Sequence, residues 1–234
     1  MSRYTHSTLV HNLESPRILV PDIMEFIGPE TVLDVGCGTG TFLKVFKEAG
    51  VKHVLGVDGP WGNPALRESH LTEAEFQPLD LEVFHDFGRK FDLAVCLEVA
   101  EHLKPEAAKT LVKTLTNASD VIWFSAALPM QGGQNHINEQ PLSYWVKLFE
   151  EAGYTMDDSL RPLWWNDSRV FWWYRQNSVL FFRDVPHYKT EPRRAQIVDA
   201  VHPELFQFYA AARAHDKIGA FIYRMKLIFK RMLK

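Results

Sequence analysis

Short uninterrupted apolar runs alternate along the chain with segments whose apolar residues recur at helical spacing. Uninterrupted runs of this kind are typical of strands that are buried on both faces of a sheet. Alternating strands and helices predict an α/β fold with a doubly wound, largely parallel sheet. Seven strands are predicted, at residues 31–35, 53–58, 75–80, 91–99, 120–128, 156–163 and 177–183.

The helical segments carry recognisable start and stop signals. Residues 41–50 predict a helix that Gly50 ends, and residues 106–115 predict another. A stronger helix is expected to begin near Glu139, with Asn138 as its cap and Pro141 in its first turn, and to end at Gly153. Before the first strand, the segment SPRILVPDIMEFI predicts a helix that Pro21 breaks or begins.

Aromatic residues concentrate between the last two strands, where residues 164–173 contain four of the seven tryptophans. Because aromatic side chains usually bury large areas, we expect a layer packed over the sheet. A wall of the substrate site is the alternative interpretation.

Beyond Pro192 the composition changes. Residues 218–232 place apolar side chains at helical spacing, and six Lys or Arg lie within residues 217–234. The pattern predicts a basic amphipathic helix, which can contact an anionic membrane surface, its own core or the second subunit of a homodimer. We therefore divide the chain into an N-terminal helical segment (1–27), a ligand-binding domain (28–190) and a C-terminal helical extension (191–234).

The composition, with 46% hydrophobic and 24% charged residues, is ordinary for a soluble protein. No apolar stretch approaches the ~20 residues of a spanning helix, and the first residues lack the apolar core of a secretory signal. We therefore expect a cytoplasmic protein, with the inner face of the membrane as a second possibility, and reduced, buried Cys37 and Cys96. The net charge of −3 includes the basic C-terminal end, so the rest is more acidic and disfavours nucleic-acid partners.

Three glycines alternate in VLDVGCGTG, between the first strand and its helix. Such a turn brings backbone N–H groups and a helix N-terminus against a ligand. Asp58, at the end of the next strand, can accept hydrogen bonds from ribose hydroxyls. A nicotinamide-binding fold or a turn without a ligand is the alternative that the glycines alone leave open.

The motifs VLDVGCGTG, LGVDG, LDLE and FDLAVCLEVAEHL, in this order, resemble the class I S-adenosylmethionine-dependent methyltransferases over residues 28–185. The resemblance implies their Rossmann-like seven-stranded fold with a reversed last strand. It also implies S-adenosylmethionine as the cofactor. The cofactor-binding residues it implies are Asp34, Gly36, Gly38, Gly40, Asp58, Gly59, Asp80 and Leu81.

The segment LEVAEHL follows the fourth strand, and a helical turn there would bring Glu98, Glu101 and His102 to one face. His136 lies in the glycine-containing loop after the fifth strand. This set resembles the metal ligands of the small-RNA 3′-terminal 2′-O-methyltransferases, and the post-strand motif is similar to that of the ubiquinone-biosynthesis O-methyltransferases. The resemblance implies that Glu98, Glu101, His102 and His136 bind Mg²⁺ or Mn²⁺. Alternatively, His102 or His136 acts as a general base without metal, or the histidines are structural.

The acceptor is expected to be a hydroxyl of a sugar, a glycan or another polyhydroxylated small molecule. The loop amides either read its hydroxyls or form an ordinary polar loop; they are Gln131, Gln134, Asn135, Asn138 and Gln140. The alternative functions are methylation of an RNA 3′ end and a non-catalytic adaptor that binds the cofactor.

Overall fold

The computed structural model describes residues 7, 9–60, 64–183 and 198–210. Its single sheet has seven strands in the order β3-β2-β1-β4-β5-β7-β6. The strands are β1 (Thr31–Val35), β2 (His53–Asp58), β3 (Phe76–Pro78), β4 (Leu93–Leu97), β5 (Val121–Ser125), β6 (Thr155–Asp157) and β7 (Val179–Phe182). The predicted α/β class and the number of strands are confirmed.

Strands β1 to β5 pair in parallel, whereas β7 is antiparallel to both β5 and β6. The reversed last strand is therefore confirmed. Because β1 lies between β2 and β4, the strand order reverses beside it. Ligands of open α/β sheets bind at such a switch point, beyond the carboxyl ends of the strands.

The described helices are α1 (Glu14–Phe26), α2 (Thr41–Glu48), α3 (Pro64–Glu68), α4 (Ala108–Ala118), α5 (Leu142–Glu151), α6 (Arg161–Trp164) and α7 (Trp172–Asn177). Residues 203–210 are also helical. Short 3₁₀ turns occupy Glu73–Glu75, Ala100–His102 and Pro105–Ala107.

Two helix boundaries differ from the prediction. Helix α1 runs through Pro21, which is exposed, so the expected break there is wrong. Helix α5 begins at Leu142 with Pro141 as its N-cap residue. Asn138 is not its cap, because this side chain is buried and donates to the carbonyl of Ala100.

The predicted strands are too long where an apolar run leaves the sheet. Residues 126–128 are buried but belong to no strand, and the predicted sixth strand would continue into α6, which begins at Arg161. The predicted fourth strand would include Glu98, whose φ of 55° ends the extended backbone. An apolar run shows only that its residues are buried. A strand ends where the backbone loses its hydrogen-bonded neighbour, and the apolar pattern does not show that position.

The core lies on both faces of the sheet, with α4 and α5 against one face and α1 and α2 against the other. On the second face, Trp164 packs on Trp123, with 6.0 Å between ring centroids, and donates to Asp22 of α1 over 2.6 Å. Trp164 is packed as the expected aromatic layer requires, whereas Trp165, Trp172 and Trp173 are half-buried, and the alternative of a substrate wall stays a prediction.

Within the described residues, no helix has the length and apolar character needed to cross a membrane. The predicted basic amphipathic helix lies largely in residues 211–234, outside the described residues. The three-part division of the chain stays a prediction.

Candidate functional site at the carboxyl edge of the sheet

The glycine turn after β1 requires glycine for reasons internal to the protein. Gly36, Gly38 and Gly40 have φ values of 84°, 56° and 78°, a region that glycine adopts without strain. A Cβ at Gly36 would overlap the side chain of Val99, and one at Gly40 would lie 2.7 Å from Leu71. The turn is therefore packed from behind by the protein, and the glycines alone do not prove that a ligand is bound.

Asp58, at the end of β2, ties the glycine turn to the next loop. Its two carboxylate oxygens accept hydrogen bonds from the N–H groups of Gly38 over 2.7 Å and Gly59 over 2.6 Å. Burial raises the pKa of Asp58, and these two N–H groups offset part of the rise. The carboxylate keeps further lone pairs that can accept hydroxyl groups.

Asp34 lies in β1 and is almost fully buried. Burial, together with the nearby Asp58 carboxylate, raises the pKa of Asp34 to about 8. Its carboxyl group is therefore largely protonated at neutral pH. A cationic ligand nearby would favour the ionised form.

Asp80 and Leu81 follow β3 at the same edge of the sheet. Leu81 is buried, whereas Asp80 is exposed and accepts a hydrogen bond from the N–H of Glu82 over 3.0 Å. Asp80 lies close to the Asp58 loop, because Leu79 donates to the carbonyl of Asp58 over 2.9 Å. The predicted cofactor-binding residues therefore converge beyond the ends of β1, β2 and β3.

Thr39 in the glycine turn was not identified from the sequence. Its side chain is 3% exposed, and its hydroxyl has no hydrogen-bond partner among the described residues. A buried hydroxyl without a partner is uncommon in proteins. It therefore fits a ligand seated in the turn.

On the acceptor side, Glu101, His102 and His136 meet. One ligand atom from each lies within 4.8 Å of the others, and the two imidazole rings are 4.8 Å apart at their centroids. The loop that carries His136 is tied to this turn, because Ile137 and Asn138 both donate to the carbonyl of Glu101.

Glu101 is completely buried, and among the described residues neither carboxylate oxygen has a hydrogen-bond partner at ordinary distance and angle. The N–H groups of Glu101 and Ala127 lie close enough to offset only a part of the burial effect. Burial, followed by the Glu98 carboxylate, raises the pKa of Glu101 well above its usual range. A buried carboxylate facing two imidazoles is a donor set that suits a divalent cation.

His102 is neutral at physiological pH, because burial and the neighbouring His136 lower its pKa to about 4. Hydrogen bonds with the backbone at Asn135 and Gln134 offset part of this shift. A neutral imidazole is a suitable metal ligand but a weak base at pH 7.

His136 is oriented by a residue that the sequence analysis treated only as the start of a helix. Its Nδ1 lies 2.9 Å from Oε1 of Glu139, whose carboxylate also accepts from the N–H groups of Met130 and Gly132, each over 2.7 Å. A Cβ at Gly133 would overlap the His136 ring. The three-residue spacing of His136 and Glu139 was the available signal for this pair.

Glu98 lies beside this cluster, close enough for its carboxylate to act on Glu101, but it is not among the three residues whose ligand atoms lie within 4.8 Å of one another. Its φ of 55° turns it out of the helical conformation, and its carboxylate accepts from Gln131 over 2.8 Å and Asn177 over 3.0 Å. Gln131 therefore fixes Glu98 and is not free to read substrate hydroxyls. Burial raises the pKa of Glu98.

Among the described residues, the non-glycine residues with positive φ are Glu98, Met130 and Asn135. All three belong to the two loops of the acceptor side. Strained backbone of this kind concentrates at functional sites because the surrounding structure must hold it in place.

A family model described as a methyltransferase domain matches residues 14–159. A ubiquinone biosynthesis O-methyltransferase from Methylobacterium sp. is 32% identical over 91 residues, which cover 35% of this chain and 36% of that protein. The protein of the same name from Pseudomonas paraeruginosa is 27% identical over 170 residues, covering 69% of this chain and 66% of its own length. The chain covers between 30% and 52% of the length of the first three curated relatives that it matches.

Among solved structures, the methyltransferase domain of bacterial CtHen1 superposes with a TM-score of 0.54 at 18% identity. The match covers 74% of this chain and all of that domain. At this level of identity the likeness concerns the fold alone.

Proposed function

We propose that this chain, which belongs to the class I S-adenosylmethionine-dependent methyltransferase family, methylates a hydroxyl group of a polyhydroxylated small molecule or glycan with the help of a divalent cation. The family membership rests on the match of the methyltransferase domain to residues 14–159. The proposal concerns the acceptor, the metal and the residues that carry the reaction.

The observation that carries the metal proposal is the Glu101 carboxylate. It is fully buried and belongs to a group of three residues whose ligand atoms, two of them imidazole nitrogens, lie within 4.8 Å of one another, and the nearby backbone N–H groups offset only a part of the burial effect. Burial makes the ionised form of this carboxylate costly, which is why its pKa is raised, and a bound divalent cation would replace the proton and offset that cost. We assign Glu101, His102 and His136 as the ligands of Mg²⁺ or Mn²⁺, and we place Glu98 outside the ligand set.

On the cofactor side, the glycine turn, Thr39 and Asp58 would bind S-adenosylmethionine. The buried Thr39 hydroxyl is available to the ligand, and Asp58 can accept ribose hydroxyls while it holds the turn. Asp34, whose raised pKa favours the protonated form, can ionise when the positively charged cofactor binds nearby.

The reaction needs an acceptor hydroxyl that has lost its proton and that lies in line with the methyl group and the sulfonium. A new oxygen–carbon bond forms, the carbon–sulfur bond breaks, and its electron pair stays on sulfur to give S-adenosylhomocysteine. A bound divalent cation supplies charge that lowers the pKa of a hydroxyl group. When His136 is a metal ligand, its Nδ1 is held by Glu139 and its other ring nitrogen is engaged, so the acceptor's proton leaves to solvent; in the metal-free alternative that nitrogen accepts the proton.

The experiment measures S-adenosylhomocysteine release with two acceptors, protocatechuate as a catechol and methyl glucoside as a sugar. We expect release with at least one of them, loss of activity after chelation with EDTA, and recovery with Mn²⁺ or Mg²⁺. The Glu101→Gln variant should lose activity by about a hundredfold, whereas Glu106→Gln, which changes an exposed carboxylate on the same segment, should not.

Full activity after chelation together with full activity of Glu101→Gln would reject the metal proposal and leave His136 as a metal-free base. If calorimetry detects no binding of S-adenosylhomocysteine, the proposed methyl transfer is rejected, both in its metal-assisted form and with His136 as a metal-free base. Binding without turnover of either acceptor would reject these two acceptor classes.

A further inference from the structure

Residues 198–210 pack against the acceptor side through buried side chains. His202 is 5% exposed and Leu205 is 4% exposed. Arg175 of α7, itself 3% exposed, donates to Oε1 of Glu204 over 2.8 Å and lies 3.3 Å from Nε2 of His202. Burial of an arginine is tolerated only with such partners, so this contact fixes the segment on α7.

A chain of hydrogen bonds leads from this segment to Glu98. The N–H of His202 donates to the side chain of Gln176 over 2.7 Å, and Gln176 donates to Gln131 over 3.3 Å. Gln131 and Asn177 then donate to the Glu98 carboxylate. The position of Glu98 at the end of β4 therefore depends on a buried polar network that ends in residues 198–210.

The start of the segment is anchored beside the loop of His136. Asp199 accepts a hydrogen bond from the N–H of Ser143 over 2.8 Å. Ser143 lies in the first turn of α5, where backbone N–H groups lack helical partners, so the Asp199 carboxylate caps a helix from outside. Arg161 adds a bond to the carbonyl of Val198 over 3.2 Å.

Tyr209 reaches the His136 loop directly. A Cβ added at Gly132 would lie 3.7 Å from the hydroxyl oxygen of Tyr209, and the N–H of Gly132 is bound to Glu139, the partner of His136. Burial, followed by the Glu139 carboxylate, raises the pKa of Tyr209, so its hydroxyl keeps its proton. Unlike Leu205, Tyr209 is only partly buried and presents a ring and a hydroxyl beside the loop.

We propose that residues 198–210 form a wall of the acceptor site and that Tyr209 is a specificity-determining residue, whose ring and hydroxyl select hydroxylated ring compounds. This inference rests on the proposed methyltransferase function. If Tyr209 contacts the acceptor, its substitution changes kcat/KM by different factors for different acceptors. If Tyr209 only supports the fold, the substitution lowers kcat/KM by the same factor for all acceptors. The wall also keeps the His136 loop in place.

Two variants and a matched control test the wall. Tyr209→Ala should raise the KM of the preferred acceptor about tenfold with little change in kcat, and Tyr209→Phe, which keeps the ring and loses the hydroxyl, should show a part of that increase. The ratio of kcat/KM for protocatechuate and methyl glucoside should change at least about threefold in Tyr209→Ala. Phe206→Ala, at a residue of the same helix that is 73% exposed, should match the wild type.

Hydrogen exchange gives a readout that does not depend on any acceptor. We expect faster exchange over residues 129–140 in Tyr209→Ala but not in Phe206→Ala, with an unchanged affinity for S-adenosylhomocysteine. Equal exchange in all variants would overturn the wall, and so would an equal loss of kcat for both acceptors at constant KM. If the wild type methylates neither acceptor, the function proposed for those classes fails, and the exchange result still decides whether the segment holds the loop.

Discussion

Asp58 binds two separate stretches of backbone, the glycine turn through Gly38 and the following loop through Gly59. This side chain therefore shapes the pocket as well as offering hydrogen bonds to a ligand. The sequence analysis assigned it only the second role.

We expect Asp58→Ala to weaken S-adenosylhomocysteine binding by at least about tenfold, because hydrogen bonds to a charged group contribute about 1.5–3 kcal/mol each. Asp58→Asn should lose less, since it keeps one acceptor oxygen. Calorimetry measures both affinities, with Asp86→Ala in an exposed turn as the control. Unchanged affinity in Asp58→Ala would contradict the assignment.

The raised pKa of Asp34 predicts how the free energy of unfolding depends on pH. Its pKa of about 8 in the folded protein lies above the ordinary value of 3.8, so the folded state holds the proton more tightly than the unfolded state. The contribution of Asp34 to the free energy of unfolding is fully present below about pH 4 and is lost as the pH rises through 8, with an upper bound of roughly 6 kcal/mol. Urea unfolding of wild type and Asp34→Asn should show the wild type losing stability relative to the variant over this range, and parallel curves would contradict the shift.

At the scale of elements, the two loops of the acceptor side are held by single carboxylates. Glu139 accepts hydrogen bonds from the backbone of Met130 and Gly132 and from His136. One side chain therefore fixes both the path of a loop and the orientation of an imidazole ring.

Glu139→Gln should lower kcat by about tenfold, because an amide has one acceptor oxygen and cannot hold Met130, Gly132 and the His136 ring as the carboxylate does. Cofactor affinity should not change, because the hydrogen-bond partners of Glu139 in the described part of the chain are Met130, Gly132 and His136, which lie outside the glycine turn. Steady-state kinetics measures kcat, and calorimetry measures the affinity for S-adenosylhomocysteine. Glu150→Gln, at an exposed position of α5, is the control. Equal loss in both variants would contradict a role in orienting His136.

The sequence predicted regular elements well and turns poorly. Strands β1 and β2 were predicted at their observed bounds because a buried apolar run and a polar end coincide there. Glu98 was misplaced because its positive φ is imposed by neighbours that are distant in sequence, among them Gln131 and Asn177. Local periodicity carries no information about such contacts.

The same reasoning explains which parts of the site were predicted. Asp58 ends a strand, so the pattern itself places it at the ligand edge, whereas Asp34 was assigned through the family resemblance. His102 and His136 follow strands that end at the same edge of the sheet, and the structure brings them together with Glu101. Thr39 and Tyr209 were missed, because the first is marked by the lack of a partner and the second by a contact far along the chain.

At the scale of the whole molecule, the C-terminal region combines two roles that the sequence analysis had merged. Residues 198–210 dock on the acceptor side, whereas the basic residues lie in 217–234, outside the described residues. Membrane contact through that basic end remains a prediction.

Sedimentation with phosphatidylglycerol vesicles tests it, comparing the intact chain with one that ends at residue 210 and so keeps the wall. We expect only the intact chain to pellet, and less so at high salt, because screening weakens attraction to an anionic surface. Equal pelleting of the two chains would exclude the membrane role of the basic end, and equal S-adenosylhomocysteine affinity would show that both are folded.

Val99 has a practical consequence for chimeric enzymes. Its side chain occupies the space behind Gly36, while the adjacent Glu98 and the nearby Glu101 belong to the acceptor side. An engineer who grafts residues 98–102 from another enzyme to gain a new substrate would also replace the floor of the cofactor pocket. Such a graft must match the volume at position 99, or the new selectivity will come with weaker cofactor binding.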